Sequence, residues 1–432
     1  MKQMSHSIAC KLSIIVAPPG YGKSVLASGW LREQSAAIRS GWLTLDKWEN
    51  DLNRFWGYMI ASLEKAIPGI GHQALSLLQS TRVMSIEHLI ILFINDLCSI
   101  EEPVVIVLDD YHLIDSEEVH RSLNQFLERM PVHVSLCIVS RTNPPLPLGA
   151  FRAKGQLNEV GVEDLKCDEE EVVSFWSARA RIPLSEQQAA QLVLRTEGWI
   201  AGIQLASIAS GGHLENTLAH YSGSHRYVSD YLMEDVVVHL TEEARRFLFQ
   251  TSILERMNGE LCAALAGAGK GRQLLAFLKR ANIFVVGLDD EGCWFRYHQL
   301  FREFLLSRCA QELDEDIRVL HQRASSWFEK NGYAEEAARH ALLAEADEKA
   351  AEMIQDDTVI LFKKREIAST SLCGLTARET EVLKSLCAGL SNKEIAEQLV
   401  LTVGTVKLHL NRVYSKLGVK GRVHAIEKAR HL

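Results

Sequence analysis

The residues Ala17-Pro18-Pro19-Gly20-Tyr21-Gly22-Lys23-Ser24 carry the spacing of a Walker A loop, with Ala in place of the first Gly. Glycines at 20 and 22 let backbone N–H groups curl around phosphate oxygens. Lys23 is then expected to reach the β- and γ-phosphates of ATP or ADP, and Ser24 to hold Mg²⁺ through its hydroxyl. Tyr21 within the loop and Val25 just after it are counted with the same nucleotide contact. The helix that follows adds partial positive charge at its N-terminus. A second run, VVIVLDD at 104–110, supplies complementary chemistry. Asp109 is expected to orient Mg²⁺, and Asp110 to polarise an attacking water as the catalytic residue. Arg141 follows a further apolar run, and its fork of donors suits a γ-phosphate sensor.

A different chemistry lies at the other end of the chain. Leu375–Leu417 reads as a helix-turn-helix. Thr376-Ala377-Arg378-Glu379 is a capping box that opens a first helix. A second helix is expected over Asn392–Leu399, with Ile395, Ala396 and Leu399 inward. Leu401–Gly404 forms the turn, and Thr402 is its N-cap. Val406, Leu410, Val413 and Leu417 recur at helical spacing and mark one buried face. The opposite face presents Gly404, Lys407, Leu408, Asn411 and Ser415. Lys407 and Asn411 suit base edges, and Leu408 suits a thymine methyl. Lys393, Thr405, His409, Arg412 and Lys416 are placed at or near phosphates. One such motif reads few base pairs, so binding to double-stranded promoter DNA is expected from a dimer or higher oligomer on repeated sites.

These residues need elements to hold them. Leu12–Val16, Val104–Leu108 and Val134–Val139 are apolar runs rich in β-branched residues, each ending in polar residues. They predict buried parallel strands with ligand chemistry at their carboxyl ends. Residues 168–220 read as helices. Ile283–Leu288, the turn 289–292 and Cys293–Tyr297 read as strand, turn and strand behind helical segments, which is the pattern of a winged helix. Residues 317–355 are helical and Ala-rich, and Lys363-Lys364-Arg365 falls in a linker.

Composition sets the outer bounds. The chain has 432 residues, 47% hydrophobic and 24% charged, which excludes overall disorder and predicts several domains. Residues 373–432 hold ten Lys/Arg against five Asp/Glu, a net of +5. The whole chain is −8, so the remainder carries −13. A small basic end on a large acidic body is the footprint of a nucleic-acid-binding domain. Nine scattered cysteines without a C-x-x-C pair favour free thiols over zinc or redox chemistry. No run has signal-peptide or membrane-spanning character, so a cytoplasmic protein with no membrane partner is expected.

Four strings, Thr376–Leu383, Gly389–Ala396, Thr405–His409 and Lys416–Val419, resemble a LuxR-type DNA-binding domain. The front resembles the MalT-type large LuxR regulators, signal-transduction ATPases of the STAND class. That likeness is carried by Ala17–Ser24, Leu45–Trp56, Val107–Ile114, Ser140–Leu148, Thr196–Gly202 and Phe295–Phe301. The resemblance implies an α/β P-loop NTPase domain at 1–161, a helical lid at 162–225 and a winged helix at 226–311. It further implies a short helical-repeat-like segment at 312–360, a linker at 361–372 and the LuxR-type helix-turn-helix at 373–432. In such regulators an ADP-bound closed form opens with ATP and an inducer, self-associates and binds promoter repeats. RNA polymerase is then an expected partner, and ATP hydrolysis is at most slow and regulatory. By the same analogy His298 is the winged-helix residue that touches the β-phosphate.

The sequence departs from that family in three places. The long repeat array that normally carries inducer recognition is reduced to 312–372, less than the three or so repeats a solenoid needs. Only about 11 residues precede Leu12, where relatives carry a basic segment that holds adenine. Ile200 stands where related ATPases often place an adenine-contacting Pro. Two other readings stay open at this level: a DNA-binding protein with a nucleotide-independent scaffold, and a DNA-stimulated ATPase.

Overall fold

The computed structural model describes residues 4, 7, 10–79, 85–179, 183–210, 220–267, 270–289 and 291–345. Further on it describes residues 382–383, 385–387, 390–392, 394–395, 406, 410, 425 and 428. The three apolar runs form strands β1 (Leu12–Val16), β3 (Val104–Asp109) and β4 (Val134–Ser140). Two strands without such runs join them, β2 (Arg39–Thr44) and β5 (Leu157–Val160). All pair in parallel in the order β2-β3-β4-β1-β5, with Ile14 opposite Ile138 and Ile106 opposite Leu136.

Alternation along each strand sends side chains to opposite faces. Ile14, Val16, Ile106 and Leu108 enter a core covered by α2 (Leu52–Glu64), α4 (Ile86–Cys98) and α5 (Glu117–Arg129). Ile15, Val105, Val107 and Val139 enter a smaller core on the other face, under Ala27, Trp30 and Leu31 of α1 (Lys23–Gln34). With both faces covered, the central strands read as continuous apolar runs. Two shorter helices, α3 (His72–Gln79) and α6 (Leu148–Ala153), complete this layer.

A second, larger core follows. It is built from α7 (Val162–Leu165), α8 (Glu169–Arg179), α9 (Glu186–Thr196), α10 (Ile200–Ser210) and α11 (Arg226–Leu232). The helices α12 (Glu242–Thr251), α13 (Gly259–Ala266), α14 (Gly271–Arg280), α15 (Gln299–Glu312), α16 (Ile317–Lys330) and α17 (Ala334–Glu345) continue it. Between α14 and α15 lies a hairpin of β6 (Val285–Gly287) and β7 (Phe295–Tyr297), with Met257 bridging to Phe295. The hairpin strands are shorter than the sequence suggests. Asn282 and Phe284 take left-handed φ of 50° and 48°, so the strand cannot begin at Ile283. At the other end the Asp289 carboxylate accepts from the N–H groups of Cys293 and Trp294, at 2.8 Å each, and holds them in the turn. Ala17 and Tyr21 of the glycine loop belong to this second core.

Residues 341–432 form a separate compact unit. Val382, Leu383, Leu386, Ile395, Val406, Leu410 and Ala425 are buried in it. Ser391 and Glu394 exchange hydrogen bonds in a capping box: the Ser391 N–H donates to Glu394 Oε2 at 2.7 Å, and the Glu394 N–H to Ser391 Oγ at 3.3 Å. No helix among the described residues is long and apolar enough to cross a membrane.

Candidate phosphate-binding site

The loop between β1 and α1 is shaped by its glycines. Gly20 and Gly22 stand at φ 76° and 73°, where a side chain is strained, and Gly22 caps α1. Lys23 is buried at the first position of α1 and donates to the Pro18 carbonyl at 2.9 Å. Burial lowers its ammonium to about 8, with Arg141 adding to the effect and Asp110 and Asp109 opposing it. Ser24 Oγ donates to Asp109 Oδ1 at 3.1 Å across the ends of α1 and β3. The Asp109 carboxyl is raised, chiefly by burial. Asp110 follows with a left-handed backbone, and its N–H donates to Asp109 Oδ1 at 2.9 Å. Arg141, after β4, donates from Nη1 to the Asp235 carbonyl at 3.1 Å, and its own carbonyl accepts from Asn282 Nδ2 at 2.8 Å.

Lys23, Ser24, Asp109, Asp110 and Arg141 thus gather at the carboxyl ends of β1, β3 and β4 around Gly20 and Gly22. Tyr21 is buried, with its ring 6.4 Å from Phe284. Val25 is 73% exposed on α1. His298 is buried in the turn before α15, next to the end of α9. Its Nε2 donates to the Thr196 carbonyl at 2.9 Å, and its Nδ1 is buried without a hydrogen-bond partner among the described residues. Burial lowers its basicity, and Glu197 opposes that shift. The DNA-directed residues Lys393, Thr402, Thr405, Lys407, Leu408, His409, Asn411, Arg412 and Lys416 lie outside the described residues, as does the Thr376–Glu379 capping box.

Sequence reasoning missed the residues that close the loop. Trp199 Nε1 donates to the Pro19 carbonyl at 3.0 Å, and the Ala201 N–H to the Gly20 carbonyl at 3.0 Å. A Cβ on Gly20 would fall 2.6 Å from Ala201 Cβ and 2.7 Å from Trp199 Nε1. Ile200 lies over Gly22, 3.5 Å from where a Cβ would stand. The Trp199 ring is enclosed by Tyr231, Phe284 and His298, at centroid distances of 5.6, 5.3 and 5.9 Å. Beside it Glu197, in the left-handed region at the end of α9, accepts two hydrogen bonds from Arg296 at 2.7 and 2.8 Å. It also accepts from the Gln299 N–H at 2.8 Å. Burial alone would raise this carboxyl, but Arg296 and its other partners hold it down at about 2. The only available signal was the string Thr196–Gly202, in which a Trp ordinarily reads as core.

Two segments of the chain match known families. Residues 233–317 match the MalT winged helix domain, and residues 374–429 match the luxR family of bacterial regulatory proteins. The chain is 33% identical over 379 residues to the HTH-type transcriptional regulator MalT of Serratia proteamaculans, covering 86% of this chain and 41% of the relative. It is 32% identical over 369 residues to MalT of Yersinia enterocolitica, covering 84% and 40%. The chain therefore spans about two fifths of the length of the curated relatives it matches. Among solved structures, a Signal Transduction ATPase with Numerous Domains carrying a tetratricopeptide repeat sensor, from Pyrococcus horikoshii, aligns at TM-score 0.33 and 16% identity. That alignment covers 82% of this chain and 49% of that one. Cdc6p of Pyrobaculum aerophilum aligns at TM-score 0.33 and 13% identity, over 72% and 91%. By sequence, the chain is similar to the MalT regulators over about two fifths of their length, and it contains one segment that matches their winged helix domain and one that matches the luxR family.

Proposed function

We propose that this chain is a nucleotide-binding transcription regulator in which ATP or ADP at the glycine loop controls self-association and sequence-specific binding to double-stranded DNA. The carrying observation is the continuous run of contacts from the loop to the winged helix. Pro19 and Gly20 are tied to Trp199 and Ala201, and Thr196 and Glu197 are tied to His298 and Arg296. Gly20 and the lid are packed so closely that a displaced loop displaces α10. A state of the loop is therefore a state of the lid and the wing.

The residues present fit a nucleotide with Mg²⁺. Gly20 and Gly22 take the left-handed backbone of a phosphate-binding turn, and Lys23 and Arg141 supply positive charge beside them. Ser24 Oγ and the Asp109 carboxylate are hard oxygen donors, the kind Mg²⁺ takes in ones and twos alongside phosphate oxygens and water. Bound there, Mg²⁺ would neutralise phosphate charge. In this reading any hydrolysis resets the switch, an inducer biases it, and the DNA-bound oligomer meets RNA polymerase.

Native mass spectrometry of the full chain without nucleotide, with ADP and with ATP tests the reading. The expected result is bound nucleotide in the wild type, none in Lys23→Ala, and assembly that depends on which nucleotide is bound. Identical spectra under all three conditions would overturn it.

A further inference from the structure

We infer that His112 acts with Asp110 as the second half of a cradle for the water that attacks the terminal phosphate. The inference rests on the nucleotide reading above. Asp110 stands at φ 55°, ψ 35°, a backbone region that non-glycine residues seldom enter and that concentrates at functional sites. That turn leads into the single helical turn Tyr111–Leu113 and returns the His112 ring beside the Asp110 carboxylate. His112 Nδ1 lies 3.8 Å from Asp110 Oδ1, too far for a hydrogen bond. It is buried and has no hydrogen-bond partner among the described residues. An orphaned buried nitrogen of this kind calls for an explanation. The charged groups that act on the ring are Arg141, Asp110 and Lys23, all members of the phosphate site.

Burial, reinforced by Arg141, holds the imidazole far below its ordinary range, at about 4. At neutral pH the ring is therefore uncharged, with one nitrogen acting as an acceptor. A water ~2.8 Å from both Asp110 Oδ1 and His112 Nδ1 sees them at an angle of about 85°. That lies close enough to the angle between its own O–H bonds for it to donate one hydrogen to each. A carboxylate alone fixes one O–H bond and leaves the water free to turn. With both hydrogens held, a lone pair of the oxygen points away from the cradle. In hydrolysis the water oxygen bonds to the γ-phosphorus, and the bond to the β,γ-bridging oxygen breaks, leaving its electron pair on the diphosphate. The water's proton passes to the Asp110 carboxylate and on to solvent. His112 stays neutral throughout, so it is a positioning residue.

The test compares the full-length wild type, His112→Leu and His112→Asn. Single-turnover hydrolysis is measured with Mg-ATP, and affinity for ADP and for a non-hydrolysable ATP analogue by calorimetry. Asn retains a side-chain acceptor near the place of Nδ1. His112→Leu is expected to slow hydrolysis ~10²-fold, the cost of losing the orientation of a reactant. Nucleotide affinity should stay within about twofold, and His112→Asn should recover most of the rate. A readout independent of turnover is the imidazole itself. Nitrogen-15 NMR of histidine-labelled wild type should show His112 as the neutral Nε2–H tautomer, assigned by the signal missing in His112→Asn. This decides the matter even where His112→Leu does not fold. An Nδ1–H tautomer, an imidazolium, an unslowed His112→Leu, or an Asn variant no better than Leu would overturn the cradle. So would a wild type that binds nucleotide and never hydrolyses it, although the nucleotide reading would then survive. A wild type that binds no nucleotide overturns both.

Discussion

Replacing Arg296 with Ala removes both hydrogen bonds that the Glu197 carboxylate accepts from the wing, while the carboxylate keeps only 15% side-chain exposure. Its pKa, which burial raises and which Arg296, His298 and the Gln299 N–H together lower, sets the scale of what is lost. The carboxyl sits at about 2 against an ordinary 4.5. At 1.36 kcal/mol for each tenfold change in the equilibrium, this corresponds to about 3 kcal/mol. Removing one partner of a buried pair costs a similar ~3–5 kcal/mol, because the other charge is left uncompensated. Arg296→Ala should therefore destabilise the packing of β7 against the end of α9 by about 3 kcal/mol. The sign with pH follows from the depressed value. The contribution is full above about 4.5 and is lost as pH falls toward 2, so the wild type should lose stability across that window and Arg296→Ala should lose less. Urea unfolding of wild type, Glu197→Gln, Arg296→Ala and the double variant gives the coupling energy. It should be followed by tryptophan fluorescence and circular dichroism, taking the transition both report. A coupling below about 0.5 kcal/mol, the size expected of residues that do not interact, would refute the role assigned to this pair.

Gly20→Ala forces a methyl into a gap of 2.6 Å beside Ala201 at a φ of 76°. It should lower stability by about 1–3 kcal/mol, the usual cost of overpacking, and an unchanged thermal midpoint would contradict the packing described. Trp199→Phe keeps an aromatic ring but leaves the Pro19 carbonyl without its indole donor, so a loss of about 1–3 kcal/mol is expected, together with faster release of a fluorescent nucleotide. In the C-terminal domain, Lys407→Ala and Asn411→Ala should each relax specificity at one base pair by about 1–3 kcal/mol, whereas Arg412→Ala should weaken binding evenly across sequences. Identical behaviour of the two kinds of variant in a binding assay against single-base operator changes would remove the proposed base contacts.

The parts of this molecule that were legible in sequence are those whose signal is local. β1, β3 and β4 are buried on both faces and announce themselves as apolar runs, and the glycine loop is a contiguous motif. β2 is an edge strand, RSGWLT, with only one of its six residues buried, so no apolar run betrays it. Its Gly41 is needed because a Cβ would strike Ser62 Oγ at 2.6 Å, a constraint set by another element. β5 is four residues long and lies at the end of the sheet order, beside β1. The closure of the site was beyond local reading for the same reason. Trp199 and Pro19 lie 180 residues apart, and Glu197 and Arg296 lie 99 apart. In sequence His112 is one residue of the string Val107–Ile114, and only the left-handed Asp110 brings its ring beside the carboxylate.

Hydrogen exchange of the full chain, followed by mass spectrometry with and without ATP, tests most directly whether the glycine loop and the winged helix act as one body. The account predicts that nucleotide changes protection at residues 17–24, and that residues 196–204 and 295–301 change with them. In Arg296→Ala the wing should no longer follow. Protection that changes at the loop alone in the wild type, with α10 and the wing unaltered, would contradict the account.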